Sequence, residues 1–243
     1  MIAAGALVAL FGGCSSTESE FSTSDSFCTT KADTECKHLA LSCGVGADAC
    51  KSKRAQVCNA AAAAAGGQGR QYKPNSARPC IDKIDEIFKE KVILPEKEAE
   101  VVELCERVFS GSVAKNGPCE TSLQCDGTMV CDKGVCADKA PTKLDEACNN
   151  PGQVCDKGTF CTLRGQSKFC VAKKAAGEIC SAESPCVEDL RCVNTCVARV
   201  TVGNKCDRDD ECAPEAPYCD ASKKTCLPKY QAGTSACRDY GAL

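Results

Sequence analysis

The chain has no tryptophan, four tyrosines and seven phenylalanines in 243 residues, so there is little large apolar material to fill a conventional core of one or two domains. It has one histidine, His38, which leaves a single imidazole for acid–base or nucleophilic chemistry. No two cysteines are separated by only two residues; this argues against zinc or iron–sulfur knuckles and against a thioredoxin-like redox pair. There is no G-x-S-x-G elbow. Gly66-Gly67-Gln68-Gly69 follows an Ala-rich helical stretch rather than a strand, so it does not read as a phosphate-cradling loop. The formal charge is -3, and both signs are interleaved. Runs such as Lys51-Ser52-Lys53-Arg54 and Asp209-Asp210-Glu211 read as solvated faces, not as a nucleic-acid stripe or a calcium loop. These absences point away from a classical enzyme, a metal or cofactor protein, and a nucleic-acid binder.

What the chain does have is cysteine, 25 of its 243 residues. That is the level of a secreted disulfide scaffold, and it implies export from the reducing cytosol.

Residues Ile2 to Phe11 are apolar, too short to span a bilayer but of the length of a signal-peptide core. The stretch ends Phe11-Gly12-Gly13-Cys14, followed by Ser15-Ser16-Thr17. This segment resembles a bacterial lipobox, although Phe11 stands where leucine is usual and no Lys or Arg precedes the run. The resemblance implies that Cys14 is lipidated, and Ser15 after it implies the outer membrane rather than the inner one. Parity agrees, because removing Cys14 from 25 cysteines leaves 24, an even number. Residues Ser15 to Ser26 read as a flexible tether reaching roughly 20 Å.

From Thr29 to Ser110 the apolar residues follow helical periods. Thr30-x-x-Asp33 reads as a capping box, and Ala32, Cys36, Leu39 and Cys43 share a helix face that Gly44 ends. A second helix is expected over about Asp48–Ala65, then a helical pair over Ser76–Lys91 and from Pro95 onward, broken at Leu94-Pro95-Glu96. Cys36, Cys43, Cys50 and Cys58 recur every seven or eight residues about a Gly44-Val45-Gly46 turn, which predicts nested bonds Cys43–Cys50 and Cys36–Cys58. Cys80 and Cys105 straddle the second break and are expected to pair. His38 is expected to face solvent or act as a cap. Cys28 has no obvious local partner.

Beyond Gly117 a cysteine period replaces the helical one. Four units follow: Cys119, Cys125, Cys131, Cys136; Cys148, Cys155, Cys161, Cys170; Cys180, Cys186, Cys192, Cys196; and Cys206, Cys212, Cys219, Cys226. Gly117, Gly177 and Gly203 precede the first cysteine of three units, while the second has Asp145-Glu146-Ala147. Units this small need about two disulfides each, at roughly 2–4 kcal/mol apiece, to fold. Four cysteines allow three pairings, and sequence does not choose among them. Cys237 either opens a truncated fifth unit or closes onto Cys28.

The expected architecture is therefore a tandem of disulfide-rich small modules, short β-hairpins and loops, behind a disulfide-stapled α-helical head. It divides into a signal peptide (1–13), tether (14–27), head (28–112), repeats (117–140, 144–174, 177–200 and 203–229) and a tail or truncated repeat (230–243). On cysteine spacing, the repeats resemble the Dickkopf N-terminal cysteine-rich module, and the layout resembles cysteine-rich lipoproteins of myxobacteria. Fold resemblance alone does not carry the signalling role of the animal modules across. The expected function is non-enzymatic: a membrane-anchored protein of the envelope or cell surface presenting stapled modules to an extracellular or envelope protein. The alternative is a secreted protease-inhibitor-like scaffold. The favoured contact segment is Thr162 to Phe169, the longest last gap, which displays Leu163, Arg164, Lys168 and Phe169.

Overall fold

A computed structural model describes residues 20–139, 141–149 and 153–240. The signal-peptide stretch, Cys14 and the first residues of the tether lie outside them. Four helices, α1 (Ser24–Cys43), α2 (Ala47–Gly67), α3 (Pro74–Phe88) and α4 (Pro95–Glu106), form the head, with a short antiparallel pair of β1 (Gln71–Tyr72) and β2 (Phe109–Ser110). Four hairpins follow: β3 (Val130–Asp132) with β4 (Val135–Ala137), β5 (Thr159–Arg164) with β6 (Ser167–Ala172), β7 (Leu190–Val193) with β8 (Thr195–Ala198), and β9 (Tyr218–Cys219) with β10 (Cys226–Leu227).

The first helix starts about two turns earlier than its sequence suggests, with its cap at Thr23 instead of Thr30. Thr23 is its N-cap, and its hydroxyl and the Ser26 side chain bond each other's backbone N–H. Thr30 instead lies inside the helix, its hydroxyl donating to the Ser26 carbonyl. Two similar capping patterns compete here, and Phe21 and Phe27, both buried, anchor the chain at the first. The distal part of the expected tether is thus folded onto the head. Gly44, with φ 66°, ends the helix in a left-handed turn.

Starting at Ser24 places Cys28 in α1 and changes the stapling. The bonds are Cys28–Cys58 and Cys36–Cys50, not Cys36–Cys58 and Cys43–Cys50. The reason is spacing: Cys28 and Cys36 are eight residues apart, as are Cys50 and Cys58, so each pair rises by about 12 Å along its helix and the rungs match. Cys36 and Cys43 are seven apart and do not. These staples hold a helix that has little else, since α2 buries only Cys50 and Ala65. Cys80–Cys105 joins α3 to α4 as the pattern predicts.

Cys43, freed from α2, bonds Cys237 across 194 residues. Neither expectation for Cys237 holds: it starts no fifth unit and does not meet Cys28. The C-terminal segment completes the head's core, where Cys237 and Tyr240 are buried with Phe27, Leu39, Ile84, Ile87 and Val108. Tyr230 packs on Phe88 (5.7 Å between centroids) and Tyr240 (5.6 Å), and its hydroxyl donates to Glu98, which also pairs with Lys229 at 2.7 Å. The Arg54 guanidinium lies 4.5 Å from the Tyr240 ring centroid. Because Ser110 Oγ bonds Asp126 in the first repeat, the head holds both ends of the repeat array.

Breaking the ring should therefore loosen the head. A Cys43→Ser/Cys237→Ser variant should lose about 3–5 kcal/mol in denaturant unfolding and become sensitive to protease near Lys229; an unchanged midpoint would contradict a structural role for the closure.

Buried Glu35 bonds Lys31 and Arg54. Burial opposes its ionisation, but the two cations outweigh that and hold its pKa below the ordinary value of 4.5. A depressed acid stabilises the fold above its unfolded pKa, and that contribution is lost as pH falls through the folded value. Head stability should accordingly fall below pH 4.5, and Glu35→Gln should be less stable at neutral pH with a flatter acid limb. Equal slopes for the two proteins in urea titrations across pH would refute this.

Candidate functional site

The four units share one construction. In each, the first cysteine bonds the third and the second bonds the fourth, giving Cys119–Cys131 with Cys125–Cys136, Cys148–Cys161 with Cys155–Cys170, Cys180–Cys192 with Cys186–Cys196, and Cys206–Cys219 with Cys212–Cys226. The third and fourth cysteines face each other across the hairpin. Sulfurs of the two bonds come within 4.8 Å of one another; held as disulfides, they offer no thiolate to a metal ion.

The segment before each first cysteine clamps the second hairpin strand. Cys136, Cys170, Cys196 and Cys226 donate to the carbonyls of Gly117, Glu146, Glu178 and Asn204, and accept from the N–H of Asn116, Asp145, Gly177 and Gly203. Those last four residues all have positive φ, with Asn116 at 66° and Asp145 at 61°. Asn and Asp tolerate this region better than other side chains, which explains why the second unit manages without glycine. Gly117 is therefore not the counterpart of Gly177. It is needed for room, because a Cβ there would meet Val113 Cγ1 at 2.6 Å.

The first hairpin strand has an outer edge, treated differently along the array. In repeat 1 the Cys131 N–H donates to Ser122 Oγ, and in repeat 4 the Cys219 N–H donates to Asp209 Oδ1. Both acceptors sit three residues after the unit's first cysteine, in single 3-10 turns, Ser122–Gln124 and Asp209–Glu211. The acidic run Asp207-Arg208-Asp209-Asp210-Glu211 is thus a capping device: Glu211 accepts from Asp207 N–H and pairs with Arg191, while Asp210 pairs with Arg208.

The expected contact segment of repeat 2 is mostly strand. β5 and β6 extend the hairpin to a tip at Gly165-Gln166. Leu163, 65% exposed, faces Lys168 across the hairpin on the cystine side. Arg164 pairs with Asp145 at 3.1 Å, and half-buried Phe169 faces Thr162 on the opposite side. The four residues therefore divide between two faces, Leu163 and Lys168 on one and Arg164 and Phe169 on the other, and make no single patch. Sequence reading missed the faces opposite the cystines, which carry Phe160, Phe169 and Val171 in repeat 2 and Val193 and Val197 in repeat 3. Period-two alternation around the cysteines carried that signal.

His38, expected to face solvent or act as a cap, is largely covered and joins Asp85 of α3 at 2.9 Å. Asp85 also takes Lys37, and these hydrogen bonds hold its pKa down. Comparison with protein-family models, with curated proteins and with solved structures finds no match to this chain.

Ser122→Ala should leave the Cys131 N–H without its acceptor, costing about 0.5–1.5 kcal/mol and speeding exchange at that amide. Asp209→Ala should do the same at Cys219. Protection unchanged in both would mean that these side chains do not cap the edges.

Proposed function

We propose that this chain is a non-enzymatic, lipid-anchored protein of the cell envelope or surface whose hairpin modules bind a protein partner. Its twelve disulfides place it in an extracellular or otherwise non-cytoplasmic compartment. The observation that carries the binding reading is the apolar side chains held outward on the stapled repeats: Leu163 at 65% exposure and Val193 at 49% on hairpins, and Ile179 at 80% on the segment that clamps one. A rigid frame lowers the entropy cost of association, and uncovered apolar residues supply contact area.

The anchor is supported by parity, since the twelve bonds use every cysteine except Cys14. The non-enzymatic reading is supported by the presence of a single imidazole in the sequence and by disulfide oxidation of every cysteine but Cys14. The Dickkopf-like character of the repeats rests on cysteine spacing and implies a scaffold, not a signalling role.

The test is capture of envelope proteins by the oxidised ectodomain, beside a Leu163→Ser/Ile179→Ser/Val193→Ser variant. Wild type should retain a defined partner and the variant at least tenfold less, the scale of about 1.4 kcal/mol. Equal retention would remove the hairpins from the reading. Inhibition in a protease panel would favour the inhibitor scaffold instead. Detergent partitioning of Cys14→Ser tests the anchor separately: both proteins staying in the aqueous phase would refute it.

A further inference from the structure

Repeat 3 has the apparatus of repeats 1 and 4 with the edge cap missing. Its first-to-second cysteine loop reads Cys180-Ser181-Ala182-Glu183-Ser184-Pro185-Cys186. Pro185 stands where Gln124 and Glu211 stand in repeats 1 and 4, and those residues donate the backbone N–H, to Thr121 and Arg208 carbonyls, that closes the 3-10 turn. Proline has no such N–H. Ser181 and Ser184 instead exchange two backbone bonds with each other. Glu183, at the capping position, turns its carboxylate to Ser181 Oγ at 3.0 Å.

The edge of β7 is left open as a result. Cys196 gives its N–H and C=O to Glu178 and Gly177 on the far side of β8. The Cys192–Cys196 pair therefore exchanges no ladder bonds, and the N–H and C=O of Cys192 point outward. Among the described residues neither group has a hydrogen-bond partner. Cys192 is exposed, whereas the capped Cys131 and Cys219 are half-buried. Beside this edge runs a cross-strand row, Ile179, Thr195 and Val193, on one face, with exposed Val197 next to it. The free charge around it is net acidic: of the two nearby arginines, Arg191 is paired with Glu211 and Arg199 gives its guanidinium to the Leu190, Asp210 and Cys212 carbonyls. Glu183 and Asp189, which immediately precedes β7, have no ion pair among the described residues, while Glu178 and Glu188 are held by Lys174 and Lys173.

We propose that the β7 edge of repeat 3 is a β-augmentation site for an extended, basic peptide segment. One residue of the incoming strand exchanges two backbone hydrogen bonds with Cys192, its alternate apolar side chains extend the Ile179–Thr195–Val193 row, and its cations meet Glu183 and Asp189. Charge complementarity selects this occupant over an acidic strand. The inference rests on the protein-binding reading above and names the class of partner.

The probe is the synthetic peptide acetyl-Lys-Val-Lys-Val-Thr-Val-Lys-amide, titrated into isotope-labelled oxidised ectodomain. Cys192 and Val193 amides should shift and Cys192 exchange should slow, with no change at Cys131 or Cys219. A version with Glu for each Lys, and one with Pro for the two residues flanking the central Val, whose N–H groups face the Cys192 edge, should bind about tenfold more weakly or not at all. A Glu183→Ser/Pro185→Gln variant, which restores the loop chemistry of repeat 1, should protect Cys192 and weaken the peptide to the same degree. Val193→Lys, which leaves the loop untouched, should also weaken it. An unshifted Cys192, equal binding of the acidic peptide, or Cys192 protection that rises with protein concentration alone would overturn the proposal, the last by making a second copy the occupant. Because the probe is supplied, its failure leaves capture of a natural partner by other hairpins standing, and failed capture leaves this result standing.

Discussion

Cys43 and Cys237 stand 5.3 Å apart between Cα atoms although 194 residues separate them, and the rest of the arrangement depends on that closure. The helical head has too few large apolar residues to complete its own core, so Tyr230, Cys237 and Tyr240 arrive from the far end of the chain to finish it. The repeat array then begins and ends on one body. Its first unit leaves from β2, and its last returns through Lys229 to Glu98 and Tyr230 to Phe88. A chain with few aromatics thereby uses the same disulfide chemistry at two scales, local bonds to fold each unit and one long-range bond to join the ends.

Within a unit, the two disulfides do the work that a core performs in larger domains. A two-stranded hairpin is at best marginal in water, yet here each is pinned from behind by its cystines and from one side by the strand-like segment before the first cysteine. The side chains on the opposite face are thereby released from any packing duty. In repeat 3 that face keeps Val193 and Val197 apolar and exposed, whereas in repeat 2 Phe160, Phe169 and Val171 are half-buried and the exposed Leu163 lies on the cystine side. The same economy makes edges the sensitive feature, and a serine or an aspartate at one position in repeats 1 and 4 closes what a Glu and a Pro leave open in repeat 3.

Features governed by local rules were legible in the sequence. The cysteine period announced four units, Pro95 marked the start of α4, and the symmetric placement of Cys80 and Cys105 gave their bond. Nesting does govern α1 and α2, but on the rungs Cys28–Cys58 and Cys36–Cys50, because the cap at Thr23, masked in the sequence by the similar Thr30 pattern, brings Cys28 into the helix. The partner of Cys43 left no periodic trace, since a contact spanning 194 residues has no local signature. The Asn116 and Asp145 equivalence to Gly177 and Gly203 was equally hidden: what is shared is a backbone angle, and different residues satisfy it. The candidate contact residues could be placed on one hairpin from the sequence, but not which of their side chains share a face, because the strand register decides that.

The measurement that bears most directly on this account is disulfide mapping of the natively oxidised chain by mass spectrometry of peptides cut without reduction. The expected result is a peptide pair joining Cys43 to Cys237, with Cys28 joined to Cys58 and Cys36 to Cys50. A Cys43–Cys50 peptide, with Cys237 bonded elsewhere, would contradict the closure and return the head and the array to separate bodies.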